Sequence, residues 1–120
     1  MSESVTLPAG LTKTILRPGH GPPVRTNDKV TVHCVGMLEA DRKKFWSTKD
    51  PGQQPFTFNV GIGQVIPGWD QGCLSMTVGE EAELHIASAL GYGNSGFPSW
   101  GIPPNANLIF RIEILSATKS

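Results

Sequence analysis

The stretch Val65-Ile66-Pro67-Gly68-Trp69-Asp70-Gln71-Gly72 constrains this chain more than any other. Pro67 suits the first turn of a helix, where its missing N–H costs nothing, and Gly72 permits the backbone angles that end one. Such spacing predicts about one or two turns of helix, too few to persist alone in water. Something must clasp it. Trp69, with Val65 and Ile66 entering from a glycine-containing loop, has two readings. It floors an apolar pocket whose wall is the Val65-Ile66 backbone, or it fills the core. Pattern alone favours the second, because most buried tryptophans bind nothing.

The rest of the chain reads as strands. After a loose tail over residues 1–10, a strand begins at Leu11 and ends near Leu16. Arg17 to Pro23, with three prolines and two glycines, then forms a turn. Val30, Val32 and Cys34 alternate with Thr31, His33 and Val35, the period of a strand buried on one face. The charged segment 39–44 turns the chain into a short strand, Phe45 to Thr48, which Asp50-Pro51-Gly52 breaks. Phe56, Phe58 and Val60 alternate with Thr57 and Asn59, and Glu81, Glu83 and His85 with Ala82, Leu84 and Ile86. The irregular stretch 89–105 carries Tyr92, Phe97, Trp100 and Ile102, so it packs on something or binds something. A last strand, Asn107 to Leu115, buries Leu108, Phe110, Ile112 and Ile114 before a tail at 117–120. The expected class is α+β, one domain over residues 11–116, with an antiparallel sheet of about five strands curled over one short helix.

Ten basic and ten acidic residues cancel, leaving no field to draw nucleic acid or an anionic membrane. With no signal-like start and no bilayer-length apolar run, a soluble monomer in the cytoplasm is expected. Cys34 and Cys73 lack metal-ligand spacing and read as free, slow thiols. Gly61-Ile62-Gly63 lacks the rest of a dinucleotide fingerprint, and no phosphate loop is present. His20, His33 and His85 are scattered and read as surface residues, so neither a metal nor a cofactor is expected. Cys34 has only His33 beside it, pointing to the opposite sheet face. What remains is a surplus of aromatics, Phe45, Trp46, Phe56, Phe58, Trp69, Tyr92, Phe97, Trp100 and Phe110, which suggests a greasy pocket without a catalytic acid or base.

Several stretches then occur in a telling order: Val-His-Cys-Val-Gly-Met-Leu (32–38), Lys-Lys-Phe (43–45), Pro-Phe-Thr-Phe (55–58), Gln-Val-Ile-Pro-Gly-Trp-Asp-Gln-Gly (64–72), Met-Thr-Val-Gly-Glu (76–80), Gly-Tyr-Gly (91–93) and Ile-Pro-Pro-Asn-Ala-Asn-Leu-Ile-Phe (102–110). Together they resemble a single-domain FK506-binding protein, of the immunophilin class of peptidyl-prolyl cis/trans isomerases. The resemblance spans Leu11 to Leu115 and implies a half-barrel of antiparallel strands around the helix. It implies that X-Pro peptides, and macrolides such as FK506 or rapamycin, lie over Trp69 among Phe45, Phe56, Tyr92 and Phe110, against Val65 and Ile66. By the same resemblance the Ile66 N–H and the Tyr92 hydroxyl donate to ligand oxygens, and Phe97 and Ile102 overhang the pocket. Two positions depart from the family pattern: Trp46 replaces a rim aspartate, and Cys34 replaces the tyrosine that bonds to it. The region between Pro98 and Ile102 also carries one residue more than the common loop. These departures imply weakened macrolide binding, with a prolyl-docking module of little isomerase activity as the competing function. A third reading, a plain OB-like barrel for single strands, has the aromatics in its favour, but this chain lacks the basic groove such partners demand.

Overall fold

The computed structural model describes residues 10–48 and 52–119. The expected tail therefore lies, except for Gly10, outside the described residues, as does the Asp50-Pro51 part of the expected break. Among these residues six strands and one α-helix occur in the order β1 (Leu11–Arg17), β2 (Asp28–Leu38), β3 (Lys44–Ser47), β4 (Phe56–Asn59), α1 (Pro67–Leu74), β5 (Glu81–Ile86) and β6 (Leu108–Lys119). The sheet runs β1-β5-β6-β2-β3, every pair antiparallel. On the edge of β2 away from β6, β4 pairs with Lys29–Val32 and β3 with Val35–Met37. These two short strands lie end to end, so the sheet is five strands wide, curved and unclosed.

Alternation puts the core on one face. Val30, Val32 and Cys34 of β2, Ala82, Leu84 and Ile86 of β5, and Leu108, Phe110, Ile112 and Ile114 of β6 are all buried there. Register stacks them in rows: Cys34 opposite Ile112 opposite Ala82, and Leu84 opposite Phe110. Each large side chain in these rows gains about 1.5–3 kcal/mol by leaving water. The helix drops Trp69 and Cys73 into the same cluster.

Two expectations are corrected. The last strand does not stop at Leu115 but runs to Lys119, because Ala117, Thr118 and Lys119 pair with Val30, Lys29 and Asp28 past an irregularity at Thr31/Val32. This end is held by the ladder more than by burial, so hydrophobic periodicity does not reveal it. Nor does Gly72 end the helix, which continues to Leu74 with Ser75 as its C-cap. Pro67 does occupy the first turn. A Cβ on Gly72 would stand 2.5 Å from Leu84 Cδ1, and one on Gly68 2.5 Å from Ile86 Cγ2. Four residues apart, the two glycines share the face that meets β5. They are there for close approach.

At the far end of the helix, Lys13 of β1 points inward. Its Nζ donates to Glu80 Oε2 at 2.9 Å and to the Ser75 carbonyl at 2.8 Å, with both side chains only 5% exposed. Glu80 Oε1 accepts the Thr77 N–H. A cation on the last carbonyls of a helix also meets the negative end of its dipole.

Gly72→Ala tests the close approach. Alanine gains nearly 1 kcal/mol of helix propensity, but overpacking against the fully buried Leu84 costs about 1–3 kcal/mol. Urea unfolding should show net destabilisation, partly recovered by adding Leu84→Val, which withdraws both δ-methyls. A stabilised Gly72→Ala would show that the helix has room to move out.

Candidate functional site

Above the helix the curved sheet leaves a cleft of about 490 Å³ lined by Trp46, Phe56, Gln64, Val65, Ile66, Trp69, Tyr92 and Phe110. Trp69 lies at its base although only 3% exposed. The two readings of this residue are both realised: the indole is core and floor at once. Its ring meets Phe110 edge-on at 5.2 Å, Phe58 at 5.5 Å and Phe56 at 5.9 Å, while Trp46 stacks on it at 5.9 Å with 27° between planes. Aromatic pairs in these geometries contribute about 0.5–1.5 kcal/mol each beyond burial.

The wall is built by a loop tied to the helix. Asp70, in the first turn and buried, accepts the Gly61 N–H at 2.8 Å on one carboxylate oxygen and the Gly63 N–H at 3.0 Å on the other. Gly61 and Gly63 both hold φ of 82°, left-handed backbone that glycine adopts without strain. The chain then runs through Gln64, whose Oε1 accepts the Asn59 N–H at 2.8 Å, to Val65 and Ile66. The Ile66 carbonyl caps the helix by accepting from Trp69 and Asp70. Its N–H, on a residue lining the cleft, has no partner among the described residues.

On the opposite side, Tyr92 comes from the stretch between β5 and β6. This segment is ordered into three single-turn 3-10 segments, Ser88–Leu90, Gly93–Ser95 and Pro98–Trp100. Phe97 and Ile102 exchange two backbone hydrogen bonds, 2.8 and 3.1 Å, closing a small hairpin. Among the described residues the Tyr92 hydroxyl has no hydrogen-bond partner. Burial pushes its phenol above the ordinary value, so the group remains a protonated donor at neutral pH.

Of the eleven site residues named from the sequence, seven line the cleft: Trp46, Phe56, Val65, Ile66, Trp69, Tyr92 and Phe110. The other four support it. Phe45 lies behind Phe110, edge-on at 5.7 Å, and both rings fit because Gly36 has no Cβ; one would come within 2.8 Å of each. Cys34 faces the core, and its N–H donates to Thr48 Oγ1 at 2.9 Å. Ile102 is buried, and Phe97 stacks on Tyr92 at 5.3 Å with 14° between planes. Sequence reasoning missed Gln64 and Asp70; an acid directly after a tryptophan in a helix entered from Gly-X-Gly is the signal that points to Asp70. Of the three histidines read as plain surface groups, His20 is exposed, but His33 and His85 are half-buried. The Nδ1 of His33 lies 2.9 Å from Thr48 Oγ1, and His85 sits between Glu83 at 3.0 Å and Glu39 at 3.6 Å.

Two substitutions follow from this geometry. Asp70→Ala strands two N–H groups that bond to a charge, so it should cost about 3–6 kcal/mol if each bond contributes about 1.5–3. Amide exchange at Gly61 and Gly63 should quicken with it. The thiols should be slow. Desolvation moves Cys34 from the ordinary 9.0 up to about 12 and pushes the buried Cys73 up as well. Since the fold favours the neutral thiols, their contribution to stability is full below pH ~9 and is lost as pH rises through the folded values. A thiol reagent should label both at the unfolding rate, and fast labelling of native protein would contradict the burial.

Comparison with known proteins places this geometry. The profile of the family described as "FKBP-type peptidyl-prolyl cis-trans isomerase" matches residues 21–115. The chain is 51% identical over 109 residues to "Peptidyl-prolyl cis-trans isomerase FKBP12" of Arabidopsis thaliana, covering 89% of this chain and 97% of that protein. It is 52% identical over 110 residues to the protein of that name from Vicia faba, covering 90% and 98%. With "FK506-binding protein 1" of Gibberella zeae it shares 43% over 107 residues, covering 88% and 96%. The crystal structure of AtFKBP13 superposes with a TM-score of 0.84 at 37% identity, covering 92% of this chain and 94% of that one.

Proposed function

This chain belongs to the FKBP-type peptidyl-prolyl cis-trans isomerase family, and on that premise we propose that it catalyses rotation about X-Pro bonds in peptides and proteins, assisting their folding or conformational switching. The observation that carries the reading is the make-up of the cleft. Apart from Gln64, whose amide oxygen is taken up by the Asn59 N–H, its lining is aromatic and aliphatic, and its titratable side chain is a phenol held protonated. Rotation about an X-Pro bond needs no proton transfer; its barrier of ~20 kcal/mol comes from lost amide resonance. A twisted amide is less dipolar than the planar one that water solvates, so a dry apolar cleft favours it. Every ~1.4 kcal/mol of such preference is tenfold in rate. The Ile66 N–H and the Tyr92 hydroxyl supply donors for the peptide's oxygens, and the proline ring rests on Trp69. The cytoplasmic, monomeric setting expected from the sequence belongs to the same proposal.

Macrolides of the FK506 or rapamycin type occupy the same cleft in this reading, with reduced affinity. Where a rim carboxylate would accept a ligand hydroxyl, Trp46 offers an indole stacked on Trp69, whose polar atom is a donor. A buried hydroxyl left unpaired costs about 1–3 kcal/mol, roughly tenfold to a hundredfold in affinity. The same stack supports a second reading, a prolyl-docking module, because the Trp46 ring covers part of the floor on which a proline would sit.

A cis/trans assay on a short X-Pro peptide separates the two, and catalysis above the spontaneous rate is expected. Trp46→Asp combined with Cys34→Tyr should raise macrolide affinity by that same tenfold to hundredfold while the isomerase rate changes less. A rate that rises as steeply as the affinity would make the present chain a docking module.

A further inference from the structure

Tyr92 reaches the cleft from an irregular segment, yet its ring must be held if its hydroxyl is to meet a ligand oxygen repeatedly. The segment has no strand or α-helix to hold it. Two hydrogen bonds hold its backbone. The Tyr92 carbonyl accepts the Gly96 N–H at 3.1 Å, curling the backbone beneath it, and Asn105 N–H donates to the Gly93 carbonyl at 2.8 Å, pinning the next residue. These fix the main chain and leave the side-chain torsions free. The ring itself is met by Phe97, nearly parallel at 14° and 5.3 Å. The Phe97 main chain is in turn tied by paired hydrogen bonds to Ile102, which is 2% exposed and part of the core, and its side chain packs against that core. A rigid path therefore runs from the core through Ile102 and Phe97 to the Tyr92 ring. Phe97 does not itself line the cleft.

We infer that Phe97 is a positioning residue for the prolyl site, acting on bound peptide through the stacked ring of Tyr92. Resting as it does on the isomerase reading, this inference deepens it by assigning a role to a residue outside the cleft. What the stack requires is a flat ring, since an aliphatic side chain of similar bulk fills the space without fixing the plane of its neighbour. The hydroxyl then stays at the cleft on a half-buried ring, in keeping with the raised phenol.

The chain has one tyrosine, so its phenol is read directly by ultraviolet titration, with tryptophan fluorescence reporting at each pH that the protein is folded. Phe97→Ala and Phe97→Leu should both move the phenol back toward the ordinary value. Both should raise KM for an X-Pro peptide by roughly threefold to tenfold, the range of one neutral hydrogen bond, with little change in kcat. Phe97→His, which keeps a flat ring and is neutral at alkaline pH, should restore both readouts and also serves if Phe97→Ala does not fold. A Phe97→Leu protein indistinguishable from the parent in titration and KM would overturn the inference. So would a rise in KM with the phenol unmoved, since Phe97 would then touch the peptide itself. The titration needs no substrate, so its result stands even if the wild-type protein fails to isomerise peptides, an outcome that would sink the functional reading alone.

Discussion

The contact between α1 and β5 sets the depth of everything else. Eight residues of helix with no side-chain N-cap bond have little stability of their own, and the glycine face at Gly68 and Gly72 lets them settle directly onto Ile86 and Leu84. The neighbouring residues then fall where they must. Trp69 and Cys73 enter the core, and Asp70 reaches back to the loop that becomes the cleft wall. Had the helix been held a methyl group further out, the tryptophan would fill the cleft instead of flooring it. Packing distance here is a functional quantity.

That dependence explains what could be read in advance. Strand alternation at Val30, Val32 and Cys34 or at Ala82, Leu84 and Ile86 is a local signal, and the sheet follows from it with the helix as the natural filling. The aromatic cleft was also legible, since a surplus of rings has few other uses in a small domain. Glycine was not: the same letter serves a helix end and a close contact, and only β5 shows which Gly72 is. Nothing local marks Lys13 as buried, because its partner Glu80 lies 67 positions later. Phe97 and Tyr92 could be grouped from sequence, but which of the two faces the cleft depends on a hairpin bridge between Phe97 and Ile102 that carries no compositional mark.

The longest pairing, β2 with β6, joins Asp28 to Lys119 and Leu38 to Leu108. Contacts so distant in sequence close large loops before they bring any reward, and such topologies fold slowly. The helix packs on β5, which β6 joins to β2. The cleft takes Phe110 from β6 itself and Trp46 and Phe56 from the two short strands paired with β2, so its lining depends on this long-range pairing.

Lys13 has a further consequence, one that concerns neighbours and not the fold. Among the described residues β1 is an edge strand, bonded to β5 on one side, and it exposes Ile15 and Leu16. An open apolar edge is a template on which a second chain can add a strand. This edge carries two obstacles: an inward-pointing cation committed to Glu80, and an irregularity between Ile15 and Arg17 that interrupts the ladder. A strand arriving from another molecule finds neither a straight row of amides nor an apolar inner face to continue. The ion pair that ties down the end of the helix therefore also makes this edge a poorer template for a second chain.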